Sequence, residues 1–293
     1  MTHRIGVWAV CATFLLGPSV PRAAAQQRPL ATEDPELVGA GRVRLEGGVD
    51  AVRDAHFPVS GLEGSEVHVP TIGVCVGLSS VAELQIGGSL YDRLNISRRN
   101  PAAPLAWLLT ATGDSTHDVG DFVVATKIRF LTETATRPAL GIRFATKLPS
   151  ASNESGLGLD TIEFYASLLG AKTVRSVRVV ANLGAGVLPD PVIGNRQNDL
   201  VTYGVSLARA LTRQVEVVGE VNGRVAPRRE AIPGTESGGL LRLGGRFTRK
   251  ALCFDAGLLF GLTSVDPGIG LTVGVTYAFK AFYEAPAAAR KTP

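Results

Sequence analysis

The stretch GDFVVATKIRFL, residues 120–131, decides the fold. Phe122, Val124, Thr126, Ile128 and Phe130 fall on one side; Asp121, Val123, Ala125, Lys127 and Arg129 fall on the other. Successive side chains of an extended strand point to opposite faces, so a period of two marks a strand with one apolar and one polar face.

The pattern repeats outward in both directions. Leu140, Ile142, Phe144 and Leu148 oppose Gly141, Arg143, Ala145 and Lys147. Val215, Val217 and Val221 oppose Glu216, Glu220 and Asn222, and Leu271, Val273, Val275 and Tyr277 oppose Thr272, Gly274 and Thr276. Strands are expected near 41–51, 67–77, 81–91, 120–131, 138–149, 160–170, 176–188, 199–210, 214–224, 239–249, 252–263 and 268–279. That is about twelve, each of about ten residues, as transmembrane barrels have.

Alternation alone also fits a soluble sandwich, whose apolar faces pack inward. Three features favour a barrel. The strands exceed the usual ~5–6 residues. Their polar positions are rich in Gly, Thr, Ser and Ala, small enough to line a lumen. The links also alternate: those at 78–80, 132–137, 171–175, 211–213 and 250–251 are short, whereas those at 52–66, 92–118, 150–159, 189–198 and 225–238 are long. Outer-membrane barrels sort short turns to the periplasm and long loops outside in this way. Within lipid every backbone N–H and C=O needs a partner, so the first strand must close on the last. The fold class expected is all-β, a transmembrane antiparallel up-and-down barrel.

Composition agrees. Mean hydropathy is +0.18, yet no stretch beyond the N-terminus has the ~20 apolar residues of a spanning helix. At the N-terminus, His3 and Arg4 precede an apolar run, Ile5–Gly17, and Ala23-Ala24-Ala25 precedes Gln26. This is the pattern of a secretory signal peptide cleaved after Ala25. The formal charge of +4 loses Arg4 and Arg22 with that leader, which leaves about +2 and no case for nucleic-acid binding. The domain organisation expected is a signal peptide (1–25), an N-terminal periplasmic segment (26–40), the barrel (41–279) and a disordered Ala/Pro-rich tail (280–293). Tyr277-Ala278-Phe279 is an aromatic finish of the kind read by the outer-membrane assembly machinery, displaced here from the C-terminus.

Blocks spread over Gly41–Phe279 carry a resemblance to a known family: FPVSGLEGSEVHVPTIGVCVGL (57–78), VGDFVVATKIRFL (119–131), RPALGIRFATKLPS (137–150), NDLVTYGVSLARAL (198–211) and FGLTSVDPGIGLTVGVTYAF (260–279). The chain resembles bacterial outer-membrane proteins grouped under a MetA pathway of phenol degradation. The resemblance implies an outer-membrane barrel that takes up small, aromatic compounds. It defines no catalytic residues.

With apolar faces toward lipid, the lumen receives charges of both signs. Acids and bases in so confined a space are expected to pair. Lys127, Arg129, Arg143 and Lys147 form a basic stripe with no acid between them, and are the candidate solute contacts. His56, His68 and His117 show no serine nucleophile pattern, so an enzyme is not expected. The histidines and Cys75 and Cys253 lack metal-ligand spacing, so neither a metal nor another cofactor is expected. Residues 96–118, with Trp107 in an apolar run, read equally as a plug loop folded into the mouth or an external flap. The function expected is a channel or transporter for small solutes in contact with membrane lipids. The alternative is a structural or surface-binding barrel whose lumen is blocked by charge pairs.

Overall fold

A computed structural model describes residues 27–228 and 232–281. The expected signal peptide and nearly all of the expected tail lie outside the described residues. The first hairpin is β1 (Arg42–Phe57) and β2 (Leu62–Gly77). Next come β3 (Ala82–Ser89), β4 (Asp92–Arg99), β5 (Ser115–Asp118), β6 (Phe122–Leu131) and β7 (Ala139–Leu148). The remainder are β8 (Glu163–Val174), β9 (Val177–Pro189), β10 (Gln197–Ala210), β11 (Val215–Val225), β12 (Gly238–Arg249), β13 (Leu252–Gly261) and β14 (Ile269–Lys280).

These segments build a closed antiparallel barrel of 12 strands in up-and-down order. β1 pairs with both β2 and β14, from Arg42 opposite Lys280 to Arg53 opposite Ile269, which removes the sheet edge. β3 and β4 are one long strand interrupted at Leu90–Tyr91. β2 pairs with β3 over Thr71–Gly77 and with β4 over Leu62–His68. β5 and β6 likewise continue each other across Val119–Asp121.

The side chains are inverted relative to a soluble protein. Phe130, Phe144, Phe164, Leu168, Leu183, Leu207, Leu243 and Phe254 are exposed on the outside. Arg44, Glu83, Lys127, Glu220, Arg246 and Asp255 are buried inside. The apolar belt suits hydrocarbon, and the inward charges need partners within the lumen.

Two expectations about the loop end are corrected. The span 52–66 is mostly strand: β1 and β2 run on to a tight connection at 58–61. The span 92–118 is largely the β4–β5 hairpin, closed by a loop over 100–114. Its outward residues Arg93, Asn95, Ser97 and His117 are polar, so the hairpin stands clear of the apolar belt. Leu62 and Leu94 pack there with Val52 and Ala55, and Leu109 and Leu157 from two loops close over them. Trp107 points outward at 78% exposure. The loop therefore forms an external cap.

Candidate functional site

What enters the barrel is the segment preceding β1. Residues 27–38 of the segment expected at 26–40 to be periplasmic lie within the lumen. They cross from the β12–β14 side to the β6–β9 side and then return to β1. Arg28 reaches Asp50 at 3.3 Å, Asp255 at 3.4 Å, Thr71 at 3.0 Å and Thr272 at 2.8 Å. Arg246 donates to the carbonyls of Gln27 and Arg28. The Glu220 carboxylate accepts from the backbone of Ala31 and Thr32 at 2.8 and 2.7 Å. Asn182 and Glu33 exchange a reciprocal pair of hydrogen bonds at 2.7 and 2.8 Å. Asp34 pairs with Arg178, Glu36 with Arg129, and the Val38 N–H with Glu83.

Lumen glycines make room for this segment. A Cβ on Gly274 would lie 2.4 Å from the Arg28 guanidinium, and one on Gly204 would lie 2.8 Å from Thr32 Oγ1. The small residues on the polar faces of the strands therefore accommodate a polypeptide inside the barrel.

The segment forms the floor of a cavity of about 540 Å³. Ala31, Thr32 and Glu33 lie beneath it. Phe57, Val59, Leu157 and Leu159 contribute at the loop end. Its walls carry Arg143, Lys147, Tyr165, Asn182, Arg224 and Leu240, so cations and apolar side chains share one chamber.

The expected basic stripe is split by the floor. Lys127 is buried beneath it, between Glu33 (3.2 Å) and Glu83 (3.0 Å). Arg129 faces Glu36 near the short-turn end and donates to the Ser80 carbonyl. Arg143 reaches Glu33 at 3.4 Å and Gln85 at 2.9 Å, and it opens on the cavity. Lys147 also lines the cavity, held by Glu163 at 2.6 Å and Asp121 at 2.9 Å. The acids that meet the stripe are Glu83, Asp121 and Glu163 of the wall and Glu33 and Glu36 of the segment, which sequence reasoning did not place in the lumen. Arg224, which the sequence did not single out, faces the same cavity. Its Nε and Nη2 donate to the carbonyls of Glu236 and Gly234 at 2.9 and 3.0 Å.

The histidines sit elsewhere. His56 lies 3.2 Å from Glu63, His117 packs against the Tyr91 ring, and His68 lies between Glu66 and Asp92. Cys75 and Cys253 are free and buried. At the loop end, Asp118 clamps residues of the 149–162 connection: Ser152 donates to it through its backbone and its hydroxyl, at 2.8 and 2.9 Å. Burial works to raise the Asp118 pKa, but hydrogen bonds from Ser152, Ser155 and Val119 prevail and hold it below the ordinary value.

No family model matches the chain, and no curated protein does. Among solved structures the barrel is similar to the COG4313 outer membrane channel from Pseudomonas putida F1. The two share 14% identity over 82% of this chain and 96% of that one, with a TM-score of 0.57. The NanC porin is also similar, at 7% identity over 80% and 98% of the two chains, with a TM-score of 0.49. At these identities the likeness concerns the fold. A barrel with such an apolar outer belt belongs with membrane lipid.

Proposed function

We propose that this chain is an outer-membrane channel or transporter for small anionic or aromatic solutes, exported by a cleaved leader. The observation that carries the reading is the cavity of about 540 Å³. It lies within the range of ligand pockets and exceeds the volume of a benzoate-sized molecule. Arg143, Lys147 and Arg224 would meet a carboxylate there; Phe57, Leu157 and Leu240 would meet a ring. Lys127 and Arg129 would act on the solute only beyond the floor. Transit therefore requires residues 27–38 to shift. The resemblance to the phenol-degradation family supports the aromatic part of the reading. Tyr277 and Phe279, stacked with centroids 5.5 Å apart near the end of β14, would present the signal read during barrel assembly.

A second reading has its own observation in favour. The segment and its ion pairs fill the lumen below the cavity, as expected of a structural or surface-binding barrel that does not transport. Reconstitution separates the two. The full mature chain and a form lacking residues 27–38 are placed in bilayers and in liposomes, and conductance and swelling with benzoate are measured. The channel reading expects swelling with the full chain and a several-fold larger conductance after deletion. Absence of both in both forms, with heat-modifiable gel migration confirming folded barrels, would sink it.

A further inference from the structure

Most of the lumen acids among the described residues follow one rule. Glu33, Asp34, Glu36, Asp50, Glu83, Asp121, Glu163, Glu216, Glu220 and Asp255 each face a lysine or an arginine. Glu66 and Asp92 are buried just as deeply, at 8% and 6% exposure. The ion-pair partner of each is the imidazole of His68, at 3.5 Å from Glu66 and 2.8 Å from Asp92. Two buried carboxylates thus share one imidazole where most of the other lumen acids meet a lysine or an arginine.

The geometry at that imidazole adds a second observation. Asp92 Oδ1 lies 2.8 Å from His68 Nδ1 and Glu66 Oε2 lies 3.5 Å from Nε2, so the two carboxylates take up both nitrogens of one ring, of which a single ion would use one. One ligand atom from each of Glu66, His68 and Asp92 lies within 4.8 Å of the other two. A tetrahedral ion with ~2.0–2.2 Å bonds holds its ligands about 3.3–3.6 Å apart, so the three side chains would draw in around it by rotation.

The fold creates this juxtaposition. Glu66 and His68 are two apart on β2 and share its inward face. The pairing of β4 with β2 then sets Asp92 opposite His68. Asp50 of β1 also stands opposite His68, but it is engaged by Arg28. The site lies where the β4–β5 hairpin leaves the barrel wall.

We propose that Glu66, His68 and Asp92 form a binding site for a divalent transition-metal cation, most suitably Zn²⁺. One imidazole nitrogen and two carboxylate oxygens are a zinc donor set, with further positions left for water. The ion would replace the imidazole proton and balance the second carboxylate. It would also tie the β4 hairpin to β2.

The test uses the full mature protein in detergent after chelator treatment and dialysis. Zn²⁺ binding is measured by titration calorimetry and by metal content after desalting. Co²⁺ serves as a spectroscopic stand-in whose d–d absorption reports nitrogen and oxygen ligation. One equivalent of Zn²⁺ is expected, with a rise in the temperature at which the barrel unfolds on a gel. Glu66→Gln, His68→Asn and Asp92→Asn should each lose that equivalent, whereas His56→Asn and His117→Asn should keep it. Should the variants fail to fold, the wild-type Co²⁺ spectrum decides. No binding by the wild-type chain, no ligand-field band, or an equivalent that survives His68→Asn in a folded barrel would each overturn the proposal.

Discussion

Glu33 and Lys127 meet in the lumen with Oε2 and Nζ 3.2 Å apart, although 94 residues separate them in the chain. One belongs to the segment that crosses the barrel and the other to its wall. Glu83 completes the arrangement at 3.0 Å from the same ammonium. A single lysine therefore fastens the floor of the cavity to β3 and β6.

Replacing Lys127 by Met should leave the buried Glu83 carboxylate without its ion-pair partner and Glu33 with Arg143 alone. Breaking a buried ion pair from one side costs about 3–5 kcal/mol. Glu33→Gln should cost less, because Lys127 keeps Glu83. The check is the midpoint of heat-induced unfolding on detergent gels. A Lys127→Met barrel as stable as the wild type would contradict the fastening role.

Gly204 offers a cleaner way to disturb the floor. The nearest atoms that a Cβ there would meet all belong to Thr32 of the segment. Gly204→Leu should therefore displace the segment and leave the wall intact. Single-channel conductance should rise while the strand content seen by circular dichroism stays constant. Unchanged conductance would show that the segment does not limit flow.

Arg143 and Lys147 line the cavity above the floor. With residues 27–38 deleted, the double substitution Arg143→Gln and Lys147→Gln should shift ion preference toward cations. The measurement is the reversal potential in a salt gradient. No shift would remove both residues from the solute path.

Asp118 has a depressed pKa in the folded chain. Its hydrogen bonds to Ser152 therefore add stability that is fully present above the ordinary value of 3.8 and is lost as the pH falls through the lower folded value. The protection of amides 150–158, corrected for the intrinsic exchange rate at each pH, should be high at neutral pH and fall once the pH drops well below 3.8. Asp118→Asn should show the lowered protection at neutral pH already. Equal protection in both forms would dissociate the clamp from the charge.

Alternation such as that of residues 120–131 was enough to place most strand boundaries within a few residues, because a side-chain period of two is a local property. The β4–β5 hairpin escaped notice because its outward face is polar, so it lacks the apolar rhythm that marks the lipid-facing strands. The cluster of Glu66, His68 and Asp92 escaped for another reason: its third member arrives through strand pairing and not through spacing. The run Glu33-Asp34-Pro35-Glu36 did carry a signal. Three acids beside a barrel with an unmatched basic stripe are its natural complement.

By itself the sequence determined the barrel, its approximate strand number and the positions of the short turns. All three follow from local alternation and from the need to pair every backbone group in lipid. Only the tertiary structure decided what fills the lumen. The partners of Lys127, Arg129 and Arg178 lie some ninety to a hundred and forty residues away. Such pairings depend on closure of the sheet, which brings residues 27–38 and the walls of every hairpin to the same small volume.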